Sequence, residues 1–176
     1  HSFLFGQASL LHLCGNPSLE IVRGDARDTA TVARLLKAAD AVIPLAALVG
    51  APLCDRDPHA AQAVNCDAIR ELNSLRSPSQ LIVYPTTNSG YGTKSGVQHC
   101  TEETPLEPIS LYGRTKVDAE QDVLGSQNAI TLRLATVFGL SPRMRLDLLV
   151  NHFVFAAVTD GYIVIFEKDF KRNYIH

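Results

Sequence analysis

No apolar run in the chain approaches the roughly 20 residues that a membrane-spanning helix needs, and the first residues carry no basic segment followed by a small-residue cleavage site. An excess of charge of either sign is also missing. The 16 Lys and Arg against 18 Asp and Glu leave a formal net charge of -2, with neither a nucleic-acid nor a membrane footprint. The four cysteines, Cys14, Cys54, Cys66 and Cys100, show no C-x-x-C spacing and no paired histidines. That pattern argues for reduced thiols in a cytoplasmic protein and against a metal site or a disulfide framework. His99 beside Cys100 reads as a loop pair rather than a ligand pair. Internal repeats, low-complexity tracts and long linkers are absent too. What is present is 176 residues, 46% hydrophobic and 19% charged, enough for a globular domain with a real core.

Short, β-branched-rich segments bounded by Gly, Pro or Asp occur at residues 19–23, 40–45, 80–84, 129–134 and 162–166, and these read as strands. Residues 7–14, 29–38, 58–76, 110–124 and 145–159 carry apolar positions at helical spacing, with Pro58 placed as a first-turn proline. The alternation predicts an α/β fold with a parallel sheet and helices on both faces, because each parallel connection needs a crossover. The stretches "LIVY" and "AITLRL" are apolar enough for strands buried on both sides. Residues 85–108 form a long polar loop, which in a compact domain points to function.

Ligands of open parallel sheets collect beyond the carboxyl ends of the strands. The residues expected to converge there are "GDARD" (24–28), "AALVGAP" (46–52), "PTTNSGYG" (85–92) and "ATVFG" (135–139). Small residues in the second of these let backbone approach a flat ligand closely.

Tyr112 and Lys116, in "SLYGRTKVDAEQ", stand four residues apart on one helix face. A fixed cation near a phenol favours phenolate, and a tyrosine so tuned can exchange a proton with a substrate hydroxyl near neutral pH. By spacing alone, an ordinary exposed pair on a solvated helix is the commoner reading. The neighbouring motifs shift the balance.

"LIVYPTTNSGYG" followed by "YGRTK" resembles the extended short-chain dehydrogenase/reductase family, specifically its NAD-dependent nucleotide-sugar epimerases and dehydratases. The resemblance covers essentially the whole chain. It implies a doubly wound, Rossmann-like parallel sheet, NAD as cofactor and a nucleoside-diphosphate sugar as substrate. Aligned on Tyr91-Gly92, it makes Thr87 the hydroxyl residue that bonds the reacting sugar oxygen, Tyr112 the acid/base, and Lys116 the residue that binds the nicotinamide ribose and lowers the tyrosine pKa. "GDARD" is similar to the family's "GDxRD", which assigns Asp25 and the Ala26 N–H to adenine. Leu45, Ala46 and Ala47 correspond to the segment lining the cofactor, and Asn65 to a helix asparagine near the active site. Thr87, Asn88, Thr136, Arg145, Asn151 and Arg172 are the implied substrate contacts. A cytoplasmic homodimer without nucleic-acid or membrane partners is expected.

Several departures accompany the matches. The glycine-rich G-x-x-G-x-x-G turn that cradles the dinucleotide pyrophosphate does not occur, and "HSFLFGQ" resembles the piece just after the family's second strand, with His1 about where an acidic residue holds the adenosine ribose. "FKRNYIH" resembles a family segment that substrate-domain helices normally follow. These features suggest a fragment that lacks the first βα unit and most of the substrate domain. Residues 1–140 would then be the cofactor-binding region and 141–176 the start of the substrate-binding region. Thr136 stands where many relatives carry asparagine.

Asn88 and Ser89 follow Thr87 where dehydratases of the family carry Asp-Glu, and neither can act as a general acid. The expectation is therefore 4-epimerisation through a keto-sugar intermediate. A dehydratase, an NAD(P)H-dependent reductase and a non-catalytic dinucleotide-binding module are the alternatives. Gln7 offers no charge for the 2′-phosphate that a reductase using NADPH would need to hold. Arg143, Arg145 and Arg172 suit diphosphate binding, each with a solvated surface role as the plain alternative. Glu102, Glu103, His59 and His152 read as ordinary surface or helix residues.

Overall fold

The computed structural model describes residues 13, 15–93, 99–141, 144–166, 168–169 and 172–176. Nearly all of the expected helix 7–14 lies outside these residues, as do His1, Gln7, Cys14 and Arg143. The chain divides into two compact units, one formed by residues 23–134 and the other by residues up to 22 with those from 135 onward.

In the first unit the elements are α1 (Thr29–Leu36), β1 (Ala41–Val42), α2 (Ala51–Arg56), α3 (Pro58–Gln62), a π-helical turn (Ala63–Asp67), α4 (Ala68–Leu75), β2 (Leu81–Thr87), a 3₁₀ turn (Asn88–Tyr91), α5 (Leu111–Leu124) and β3 (Ala129–Leu134). The three strands form one parallel sheet in the order β1-β2-β3, with Ile82 opposite Ala129 and Thr87 opposite Leu134. Parallel neighbours need a crossover, and α5 supplies the one between β2 and β3. The core lies between this sheet and its helices: Ile82 and Tyr84 of β2 pack with Cys66 and Ile69 and with Ala119 and Val123 of α5. On the opposite face of β3, Ile130, Leu132 and Leu134 are exposed. The expectation that "AITLRL" is buried on both sides is therefore not met among the described residues.

Local chemistry explains where the helices begin. Asp28 caps α1 by accepting from the Ala30 and Thr31 amides, Asp57 caps α3 by accepting from Ala60 ahead of Pro58, and Ser110 caps α5 by accepting from Gly113 at 3.0 Å. The expected helix 58–76 is real in extent but is broken by the π-helical turn, whose extra residue buries Asn65 and Cys66. The short helix α2 was not expected, since its six residues show too little of a turn-to-turn pattern to read.

Two expected strands do not form. Residues 19–23 and 162–166 make no ladder, and Ile21, Ile163 and Val164 stay largely exposed. A short β-branched-rich run suffices for a strand only where a neighbour accepts its hydrogen bonds, and neither segment has one among the described residues. The second unit instead pairs β4 (Thr136–Val137) with β5 (Tyr174–Ile175) in parallel, two strands too short to show in the pattern. Its helix α6 spans Leu149–Thr159, so it starts four residues later than the expected 145. Among the described residues no helix is long and apolar enough to cross a membrane, and no group of three or more His, Cys, Asp or Glu is placed to hold a metal ion.

Candidate functional site

Thr87 ends β2 at its carboxyl edge and caps the 3₁₀ turn, its hydroxyl oxygen accepting from the Ser89 amide at 3.2 Å. It is buried, while Asn88 and Ser89 beside it are half-buried. The turn lies against α5 so closely that a Cβ on Gly90 would fall 2.9 Å from Val117 Cγ2. Gly92 is more tightly constrained: its φ is +67° and a Cβ there would meet the Glu107 carbonyl oxygen at 2.1 Å. The Glu107 amide in turn donates to the Gly90 carbonyl at 2.9 Å. Thus the "NSGYG" stretch packs against Glu107 and against α5, the helix that carries Tyr112 and Lys116.

Tyr112 lies in the first turn of α5 and is half-buried. Lys116, one turn on, is buried, and its ammonium sits 4.0 Å from the centre of the Tyr84 ring. Desolvation lowers the Lys116 pKa to about 8, with the Glu120 carboxylate opposing the fall. Burial pushes the Tyr84 phenol up instead, and the nearby Tyr112, Cys66 and Glu120 add to the rise. Tyr84 therefore stays a neutral phenol. Behind it, Glu120 accepts from Arg133 Nε at 2.7 Å, and Arg133 Nη1 donates to the Tyr91 hydroxyl at 3.1 Å, joining the Tyr91-Gly92 motif to β3 and α5.

Residues expected to face a cofactor occupy two loops. Asp25 is exposed and paired with Arg27, whose side chain and amide hold its carboxyl at about 2, so it is ionised at neutral pH. The second aspartate of "GDARD" has a structural task, as the cap of α1. Ala26 is exposed between them. Beyond the end of β1, Leu45 is 74% exposed and is followed by the small Ala46 and Ala47. Asn65 is buried, and its side chain clamps that loop: Oδ1 accepts from the Leu48 amide at 2.8 Å and Nδ2 donates to the Leu48 carbonyl at 3.0 Å. The same amide also reaches Thr115 Oγ1 of α5 at 3.4 Å.

Thr136, Arg145, Asn151 and Arg172 belong to the other unit. Asn151 is buried, accepting from the Gly139 amide and donating to the Arg145 carbonyl, each at 3.0 Å. Arg145 grips Asp147 with two nitrogens, which holds that carboxyl below its usual range. Thr136 is half-buried in β4, its amide donating to the Asn173 carbonyl, and Arg172 is exposed. Sequence reasoning missed a cavity of this unit, about 460 Å³ in volume and lined by residues including Asp147, His152, Phe153, Asp160, Tyr162 and Phe166. Its signal in the sequence is the apolar run after α6, whose β-branched-rich composition suggests a strand instead.

The family described as RmlD substrate binding domain matches residues 12–154. The chain belongs to that family. Its expected place in the extended short-chain dehydrogenase/reductase group, among NAD-dependent nucleotide-sugar epimerases and dehydratases, follows from this match and from the relatives. A curated relative, the uncharacterized UDP-glucose epimerase YtcB of Bacillus subtilis (strain 168), is 34% identical over 134 residues, 72% of this chain and 41% of its own length. Among solved structures, the UDP-glucuronic acid 4-epimerase of Bacillus cereus in complex with UDP-glucuronic acid and NAD has a TM-score of 0.78 at 24% identity, over 90% of this chain and 51% of that one. MoeE5 in complex with UDP-glucose and NAD has a TM-score of 0.66 at 28% identity, over 80% of this chain and 48% of that one. The RmlD-type chain thus spans about half the length of the relatives it matches, and its doubly wound, Rossmann-like fold class is theirs.

Proposed function

We propose that the protein takes part in NAD-dependent 4-epimerisation of a nucleoside-diphosphate sugar, with Tyr112 as acid/base, Thr87 as the hydroxyl that orients the reacting sugar oxygen, and Lys116 as the cation beside the tyrosine. The observation that carries this reading is the buried Lys116 ammonium one turn after Tyr112, in the same unit as a buried Thr87. An ammonium with a pKa near 8 is charged at neutral pH and can stabilise a developing phenolate. Neither Asn88 nor Ser89 can supply the extra acid that expelling water needs, which favours epimerisation over dehydration. The relative named as a UDP-glucose epimerase points the same way.

The residues present fit NAD on two counts. The ionised Asp25 carboxylate is exposed and has acceptor capacity left for an amino group, and Leu45, Ala46 and Ala47 offer an apolar, low surface to a flat ring. When bound, NAD supplies the hydride acceptor and donor. The chain's own residues do the rest: Asn65 keeps the 45–48 loop in place, Lys116 holds positive charge at the tyrosine, and Tyr112 removes and returns the proton of the sugar hydroxyl. We assign Asn88, Thr136, Arg145, Asn151 and Arg172 to the sugar nucleotide, Arg172 as a diphosphate contact and Asn151 as the clamp of the loop carrying Arg145. Residues up to 140 serve the cofactor and those from 141 begin the substrate region. We expect a cytoplasmic homodimer, as the resemblance implies.

The test is incubation of the protein and NAD with UDP-, dTDP- and GDP-hexoses, read by mass spectrometry and proton NMR. The expected product is an isomer of unchanged mass without net nicotinamide turnover. A product lighter by one water, or steady consumption of NADH, replaces epimerisation with dehydration or reduction. No conversion alongside measurable NAD binding leaves a dinucleotide-binding module.

A further inference from the structure

Glu120 is a carboxylate that the proposed chemistry does not use, yet it is 1% exposed in the middle of α5. Its Oε1 accepts from Arg133 Nε at 2.7 Å, while Oε2 is buried and has no hydrogen-bond partner among the described residues. A buried ion pair gains little stability over a well-packed apolar pair, and an unsatisfied buried oxygen adds a cost. The arrangement is therefore poorly explained as a stabilising device. Its position suggests another use: Glu120 lies four residues after Lys116, so the two side chains share one buried face of the helix.

The groups around the ammonium are few in kind. From β2, Tyr84 presents its ring at 4.0 Å and stays a neutral phenol. From the π-helical turn, Cys66 lies behind Tyr84, its thiol pushed up by burial and so also neutral. Tyr112 is one turn before Lys116 on the same helix. From β3, Arg133 is engaged by Glu120, the Tyr91 hydroxyl and the Glu102 carbonyl. Glu120 is the negative charge that raises the Lys116 pKa against the pull of burial, and so the group that can hold the ammonium protonated.

We propose that Glu120, anchored to β3 by Arg133, is a positioning residue that keeps the Lys116 ammonium charged inside the α5 core. Its consequence for catalysis rests on the reading of Tyr112 and Lys116 as the acid/base couple. The link between the two buried charges stands apart from that reading.

The experiment is an NMR titration of the whole chain, which contains five lysines and seven glutamates. With lysine side chains labelled and Lys116 assigned by its loss in Lys116→Met, the wild-type ammonium is expected to titrate near 8. In Glu120→Gln the midpoint should fall by about one pH unit or more, a tenfold change in protonation. In Glu120→Asp, which keeps the charge, it should stay within about half a unit of wild type. A Gln variant that titrates like wild type, or Gln and Asp variants that shift alike, overturns the proposal. Should the Gln variant fail to fold, the wild type alone decides: coupling is reciprocal, so the labelled Glu120 carboxyl carbon must show a step where Lys116 titrates, and a flat response overturns the proposal. Activity is a separate readout. Where sugar-nucleotide conversion occurs, the alkaline limb of its pH profile should move down with the Lys116 midpoint in Glu120→Gln. A shifted midpoint with no conversion in any variant retains the Glu120–Lys116 link and rejects the epimerase reading.

Discussion

The Lys116 ammonium rests 4.0 Å above the centre of the Tyr84 ring, a charge carried into the core on the face of a neutral phenol. The ring's quadrupole and the Glu120 carboxylate offset part of the cost of burial, but a pKa near 8 shows that the balance stays unfavourable. The sign of the pH dependence follows. Below pH 8 both folded and unfolded lysine are charged, and the native state carries the full penalty, about 3 kcal/mol from a drop of this size. Between 8 and 10.5 the native lysine releases its proton while the unfolded one keeps it, so stability rises with pH through that window. Replacing Lys116 by Met should therefore stabilise the fold by roughly 1–3 kcal/mol at pH 7, and the advantage should vanish by about pH 10.5. Urea denaturation of both proteins at several pH values checks this, and a variant weaker than wild type at pH 7 contradicts it.

Tyr112→Phe keeps the ring that half-buries in the first turn of α5 and removes only the hydroxyl. Conversion of the sugar nucleotide should fall by about 10²–10⁴-fold, the usual worth of a positioned acid/base. NAD affinity and urea midpoint should change little, so a matching loss in either would point to a structural role for the phenol.

Much of the sheet and of helix α5 could be read from the sequence because those signals are local. The apolar stretches around Ile82 and Ile130 sit where strands formed, and Ser110 marks the start of α5 by the side-chain chemistry of its cap. The pairing of Asp25 with Arg27 was hidden because "GDARD" carries two acids, and only geometry shows that Asp28 is the helix cap while Asp25 remains exposed. The π-helical turn at Asn65 was invisible, since one inserted residue leaves apolar spacing nearly intact. The strand pattern at 162–166 misled for the opposite reason: its residues are apolar and β-branched-rich but have no ladder partner among the described residues. Burial of Lys116 was equally unreadable, because the residue that covers it, Tyr84, is distant in sequence.

Gly92 has no tolerance for a side chain. At φ +67°, with the Glu107 carbonyl oxygen 2.1 Å from where a Cβ would stand, alanine must strain the backbone and displace a peptide group. Gly92→Ala should destabilise the protein by about 3 kcal/mol, read as a lower urea midpoint at unchanged slope. The damage should concentrate at the turn after Thr87, so hydrogen exchange of the Ser89 and Glu107 amides should quicken more than that of the β2–β3 ladder.

Asn65 offers the sharpest separation of folding from cofactor binding. Its amide satisfies both the N–H and the carbonyl of Leu48, at 2.8 and 3.0 Å, and so fixes the loop that presents Leu45, Ala46 and Ala47. Asn65→Leu preserves volume but strands both Leu48 groups, at a cost of about 1–3 kcal/mol for each group left without a partner or water. Leu48 is only half-buried, so water can reach part of the loss and the stability change should fall at the low end of that range. The loop, however, loses its tether. If it forms one wall of the NAD site, affinity for NAD measured by calorimetry should weaken about tenfold or more, while Tyr112→Phe leaves that affinity intact. Unchanged NAD affinity in a folded Asn65→Leu protein would remove residues 45–47 from the cofactor site and leave Asn65 as a purely structural clamp between the loop after β1 and Thr115 of α5.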